Sequence, residues 1–312
     1  MQEQINLNEW RERALSFEQS ANKVVLGLEK QVRALTIAIF SRGHVLLEGD
    51  VGVGKTTLLK AASRLLGGAY QRIEGAIDLM PGDFLYHAYI DQNGQPAVAP
   101  GPLLRHEENL AVFFFNEINR ARPQAHSLLL RLMAERSVNA FNRDYSFPHL
   151  TVFADRNGLE REETFELPAA ARDRFFMEVS VTAPEDKALQ RDLMFSTRFH
   201  DADALIETLE PGLVPYDKLN AVSATIQENV RAELALQDYA VNIWQALRHP
   251  ERLGIEIEDV DITRLVAGGA SPRGMAMLMR AARTRAWLEG RDYLTPDDIR
   301  AVFPETVGHR VF

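Results

Sequence analysis

The sequence predicts an α/β fold, with a parallel central sheet flanked by helices, followed by a small all-helical domain. Three observations carry this expectation. Apolar runs at 44–47, 110–115 and 150–154 read as short strands buried on both faces. Between the last two, Leu128, Leu129, Leu132 and Met133 recur at helical spacing, giving the order strand, helix, strand that right-handed crossovers turn into a parallel sheet. Beyond about Val181, Pro184, Pro211 and Pro215 break the chain, and helical segments run to the end with little strand signal. The expected division is 1–195 for the α/β core and 200–312 for the helical domain.

Residues 1–40 look helical, with Leu26, Val32, Leu35, Ile37 and Ile39 forming an apolar stripe that leads into strand 44–47. Next come Gly49-Asp50-Val51-Gly52-Val53-Gly54-Lys55-Thr56 and a helix opening at Thr57-Leu58-Leu59. Segment 75–103 holds Pro81-Gly82, Asn93-Gly94 and Pro100-Gly101-Pro102, so it reads as a loop-and-hairpin insertion. Segment 138–147 alternates around Asn142-Arg143-Asp144, which predicts a short hairpin. Insertions of this kind commonly carry partner contacts. In the helical domain, Ser271 and Pro272 stand as N-cap and first residue of a helix through Met275, Leu278 and Met279. Arg280, Arg283 and Arg285 on that helix, with acids nearby, read as a solvated face.

Composition narrows the class. A chain of 312 residues, 46% hydrophobic and 25% charged, is ordinary globular material with room for two domains. There are no cysteines, which removes disulfides, thiolate metal sites and cysteine nucleophiles together and fits a reducing cytoplasm. The polar, acidic start has no signal-peptide pattern, and no apolar stretch reaches membrane-spanning length, so a soluble cytoplasmic protein without membrane insertion is expected. A net charge of -9 argues against a broad nucleic-acid surface, which needs clustered Lys and Arg.

The chemistry gathers at three strand ends. Gly49 to Thr56 fits G-x-x-x-x-G-K-[ST], the phosphate-cradling loop, in its required place between a strand and a helix. This predicts binding of a nucleoside triphosphate by Gly49, Asp50, Val51, Gly52, Val53, Gly54, Lys55, Thr56 and Thr57. Lys55 would reach the β/γ oxygens and the Thr56 hydroxyl would ligate Mg²⁺, while Asp50 and Val51 shape the loop. After strand 110–115, Asn116 occupies the position where such enzymes orient Mg²⁺ through water, and Glu117 the position that polarises the attacking water. Asn116 lacks a formal charge, which predicts weaker Mg²⁺ retention rather than an abolished site. Glu117 could otherwise only cap a helix near Asn119. Asn157, after strand 150–154, is placed to position the lytic water, although Asn-Gly is also a common turn dipeptide. Arg174 ends a helical segment and presents a planar fork suited to a γ-phosphate, where most surface arginines only solvate. Arg273 in the second domain could bridge the domains through nucleotide.

These motifs together resemble the AAA+ ATPases, and within them the MoxR family. The matching stretches are LLEGDVGVGKT, FFFNEINRARP, FADRNG, ELPAAARDRF and GASPRG, in family order and spacing over nearly the whole chain. The resemblance implies that Lys55 and Thr56 are the Walker A pair, Asn116 and Glu117 the Walker B positions and Asn157 sensor 1. It makes Arg174 the arginine finger acting on a neighbouring subunit and Arg273 sensor 2. KVVLGLEKQVRAL would support the adenine, 75–103 would be the helix-2 insert and 138–147 the pre-sensor hairpin. Most relatives carry Asp where this chain has Asn116, which bears on rate more than on nucleotide binding. RGHVLLEGDVGVGKTTLL and FNRDY are most similar to MoxR proteins encoded with methanol dehydrogenase. The implied protein is a hexameric ring ATPase and chaperone. Its client would be methanol dehydrogenase, activated or loaded with calcium, and a von Willebrand factor A domain protein would serve as adaptor. The alternative is a slow-hydrolysing, ATP-gated assembly switch.

Overall fold

A computed structural model describes residues 5–158, 165–254 and 268–311. The helical readings of 1–4 and of 255–267 lie outside the described residues. The N-terminal stretch forms two helices, α1 (Leu7–Asn22) and α2 (Glu29–Phe40), rather than one. The break at 23–28 turns on Gly27, whose φ of 76° favours glycine, so Leu26 falls in the turn and off the predicted stripe. Strand β1 (Val45–Glu48) begins one residue later than read, with His44 just ahead of the strand.

Helix α3 (Lys55–Leu66) leaves the phosphate-loop motif, and β2 (Ala69–Glu74) follows it. The insertion comprises α4 (Pro81–Leu85) and the antiparallel pair β3 (Tyr86–Ile90) and β4 (Pro96–Pro100). Strand β5 (Leu110–Asn116) runs fully buried into α5 (Pro123–Glu135). A second hairpin, β6 (Ser137–Ala140) and β7 (Arg143–Ser146), turns at Phe141 and Asn142, both left-handed at φ 54° and 56°. Its apex is therefore one residue ahead of the predicted Asn142-Arg143-Asp144. Then come β8 (Thr151–Arg156), a one-turn α6 (Ala169–Arg172) and β9 (Met177–Ser180).

The five core strands pair in parallel in the order β2-β5-β8-β1-β9. The sequence reading found the three inner strands and missed both edges. β2 is half-buried and polar, Tyr-Gln-Arg-Ile-Glu after Ala69, so it shows no apolar run. β9 has only four residues. The inner strands divide their side chains cleanly. Phe114, Phe153 and Leu47 join the core beneath α1, α2 and α3, whereas Phe113, Phe115 and Ala154 join the opposite core with α5 and Phe84 of the insertion. Each fully buried phenylalanine contributes roughly 1.5–3 kcal/mol of burial.

Helices α7 (Lys187–Phe195) and α8 (Ala202–Glu207) stay with the core, where Lys60 of α3 meets Asp203 at 2.7 Å. The remaining described helices are α9 (Leu219–Asn229), α10 (Leu234–Arg248), α11 (Pro272–Leu288) and α12 (Pro296–Val307). They form a helical lid that shares one continuous hydrophobic core with α1 and α2. Phe40 packs on Trp287 at 5.2 Å, Trp287 Nε1 donates to the Leu7 carbonyl, and Ser41 and Thr284 hydroxyls meet at 2.8 Å. The arginines of α11 are not a solvated face. Arg280 donates to the Ser41 carbonyl, Arg283 to the Val230 carbonyl, and Arg285 pairs with the fully buried Asp298. Lid and core thus close over charges that sequence spacing alone would leave in water. Among the described residues, no helix is long and apolar enough to cross a membrane.

Candidate functional site

Gly49 ends β1, and its conformation is forced by its neighbours. A Cβ there would stand 2.1 Å from the Val181 carbonyl oxygen, where the chain leaves β9. Gly52 and Gly54 take φ of 81° and 93°, which lets successive amides face inward before Gly54 caps α3. The first turn of α3, Lys55-Thr56-Thr57, holds no acid, so its positive dipole end is uncancelled. The Lys55 ammonium is buried and donates to the carbonyls of Gly49 and Asp50 at 2.6 and 2.8 Å. Asp50 through Thr57 line one side of a cleft of about 240 Å³, and Asn116, Glu117, Asp155 and Asn157 line the other. Every residue predicted for nucleotide and metal at this end of the sheet reaches the cleft except Gly49, which forms its hinge.

The opposite wall is built by the parallel register. Asn116 is buried; its Nδ2 donates to Glu74 Oε2 at 2.5 Å, and its Oδ1 is buried without a partner. Glu117 takes a left-handed conformation, φ 52°, and its amide donates to Asp155 Oδ1 at 2.6 Å. The Glu117 carboxylate, about one-third exposed, pairs with Arg120 at 2.8 Å. Gly75 permits this turn, since a Cβ there would lie 2.0 Å from the Glu117 carbonyl oxygen. Burial pushes the Asp155 carboxyl above its usual range, against the opposing pull of the Glu117 amide and of Lys55 and Arg72. Asp155 is the cleft-lining residue that sequence reasoning passed over; its only signal was a carboxylate at the buried end of an apolar strand.

Arg174 and Arg273 lie elsewhere. Arg174 stands two residues beyond α6 rather than at its end and donates to the Leu130 carbonyl at 2.9 Å. Together with Arg42, Arg136, Arg273 and Arg280 it lines a second cavity of about 340 Å³ in which no carboxylate takes part. Burial and the neighbouring Arg136 and Arg280 lower Arg42 to about 9, and burial also lowers Arg136 and Arg280. Such crowding of buried cations favours an anion. Asp173 joins this region to the lid: it accepts from Ser271 Oγ at 2.9 Å, from Arg310 Nε at 3.1 Å and from Arg273 at 3.3 Å. Asp173 and Arg310 carried no sequence signal, because Asp173 meets Ser271, Arg273 and Arg310 across 98, 100 and 137 residues of chain.

This arrangement suits a phosphate cradle at one end of the sheet and an anion-seeking arginine cluster away from it. Residues 44–177 match the family model described as ATPase family associated with various cellular activities (AAA), and residues 261–312 match the AAA lid domain. Protein MoxR of Methylorubrum extorquens is 60% identical over 98% of this chain and 89% of its own length. Chaperone MoxR1 of Mycobacterium tuberculosis is 33% identical over 93% of this chain and 73% of its own. A crystal structure of a protein from Cytophaga hutchinsonii superimposes with a TM-score of 0.80 at 27% identity, covering 98% of this chain and 91% of that one.

Proposed function

The chain belongs to the MoxR family of AAA+ ATPases, and from that premise we propose that it hydrolyses ATP with Mg²⁺ in the cleft between Gly49–Thr57 and Asn116–Asn157, as a ring of identical chains acting on a protein client. The observation that supports this best is the meeting, in one cleft, of Lys55 and Thr56 with Glu117 and Asn157. In this reading Lys55 exchanges the Gly49 and Asp50 carbonyls for phosphate oxygens, and the α3 amides hold the same group. Bound Mg²⁺ would neutralise phosphate charge between the Thr56 hydroxyl and the carboxylate side of the cleft; the unpartnered Asn116 Oδ1 and buried Asp155 fit a hydrated cation there. Glu117 takes the proton of the attacking water and Asn157 orients that water.

Residues 1–195 are read as the nucleotide-binding core and 200–312 as the helical region carrying sensor 2, whose first helix, α8, packs back on α3 of the core. Leu28, which stands beside Gly54, and the buried Val24 and Val25 of the same turn would seat the adenine. Because Arg174 and Arg273 lie outside the cleft of their own chain, a complete site takes a second copy that presents its arginine cavity to the phosphates, which fits a hexamer. The alternative of a slow ATP-gated switch gains no support from the site, which keeps a candidate base and a buried carboxylate. The methanol dehydrogenase client, the von Willebrand factor A domain adaptor and the cytoplasmic setting are part of the same proposal, carried over from the resemblance to MoxR proteins. The decisive test mixes the Arg174→Ala variant with the Lys55→Ala variant, each expected to be inactive alone. Restored ATPase activity on mixing supports sites shared between chains; strictly additive activities exclude them.

A further inference from the structure

We propose that the carboxylate orienting the metal at this site is supplied by Asp155 on β8, in place of the neutral Asn116 on β5. The inference deepens the ATPase reading above and rests on it. In the sheet, Phe115 pairs with Ala154 and Leu47 with Asp155, so Asn116 and Asp155 stand side by side one step further on. Their alternation partners Phe114 and Phe153 belong to the core beneath α3. Both side chains therefore face the helix that presents Lys55 and Thr56, and both line the cleft. At position 116 the amide is committed: Nδ2 is held by Glu74, and Oδ1 is a buried acceptor without a donor. Such an acceptor is suited to a metal-bound water.

Asp155 is only 4% exposed and lines the cleft opposite Lys55 and Thr56. A buried carboxylate in that condition gains from a cation. An aspartate at 116 would instead crowd the carboxylates of Glu74 and Asp155. The charge thus stands one strand over from the position that the family resemblance gives it. The competing role for Asp155 is as an anchor for the Glu117 amide alone. An asparagine carbonyl at 155 could accept the same N–H, so Asp155→Asn separates the two roles.

The experiment titrates Mn²⁺ by electron paramagnetic resonance into the full chain with a non-hydrolysable ATP analogue, alongside analogue binding in EDTA. Asp155→Asn is expected to weaken Mn²⁺ affinity about tenfold or more while metal-free analogue binding stays within about twofold. The double variant Asn116→Asp/Asp155→Asn is expected to regain the lost affinity, and it decides the question should the single variant fail to fold. Unchanged Mn²⁺ affinity in Asp155→Asn, or no recovery in the double variant, overturns the assignment while leaving the ATPase reading intact. If wild type shows no metal-dependent analogue binding at all, both readings fall.

Discussion

Glu117 sits at the turn where the sheet hands the chain to the far wall of the cleft; its carboxylate pairs with Arg120, and its amide is fixed by a bond to Asp155. Glu117→Gln preserves that bond. Analogue binding should stay within about threefold of wild type while turnover falls at least about 100-fold, measured by fluorescent-nucleotide titration and phosphate release. Equal losses in both would mean that Glu117 binds rather than reacts. Two buried histidines set an acid limit on stability. His44, whose Nδ1 accepts from the Val152 amide, is lowered to about 3 by burial and by Arg136, Arg42 and Arg280. His309, beside the Phe175 carbonyl, is lowered to about 3 by burial and by Arg310 and Arg172. Both stay neutral when folded and take a proton near pH 6.5 when unfolded, so their stabilisation is whole above about pH 6.5 and is lost as pH falls toward 3. At pH 5 each should cost about 2 kcal/mol. Urea midpoints between pH 7 and pH 5 check this, and His44→Gln should flatten part of the slope.

At the scale of elements, the phosphate loop works because β9 and β1 touch it. Gly49→Ala would drive a methyl into the Val181 carbonyl oxygen, so a loss of about 2 kcal/mol or more in urea unfolding is expected, together with weakened analogue binding. An unchanged midpoint would mean that the strand end yields easily. The two hairpins place an exposed apolar surface together: Tyr86 and Phe141 meet at 5.9 Å, with Tyr89, Ile90 and Val98 also exposed. Phe141→Ser should leave ATPase activity and melting temperature near wild type and reduce client activation; a parallel loss of ATPase would make the residue structural. What the sequence disclosed follows the same division. The inner strands were legible because burial on both faces writes a continuous apolar run, and the phosphate loop because its glycines and lysine have one common use. The edge strands were not, since β2 alternates polar residues at half-buried positions and β9 is too short to show a period. Asp155, Asp173 and Arg310 were equally hidden, because their meaning lies in partners brought together only by strand register and lid packing.

For the whole molecule, the separation of the two sites is what determines behaviour. One chain carries a phosphate cradle at one end of its sheet and an arginine-lined cavity that does not open on it. A lone chain should bind ATP and hydrolyse it slowly, since an arginine supplied by a neighbour is worth about 10³ to 10⁵ in rate. Asp173 joins the core to the lid, so Asp173→Asn should loosen the bonds to Ser271, Arg273 and Arg310 and lower ATPase activity more than nucleotide binding. ATPase rate against protein concentration, with Mg²⁺ and with mass followed by light scattering, is the measurement to make. Specific activity should climb with concentration as the ring assembles and collapse in Arg174→Ala although that variant still binds nucleotide. A specific activity independent of concentration, or an Arg174→Ala variant as fast as wild type, would place the whole active site within one chain and refute the shared-site account.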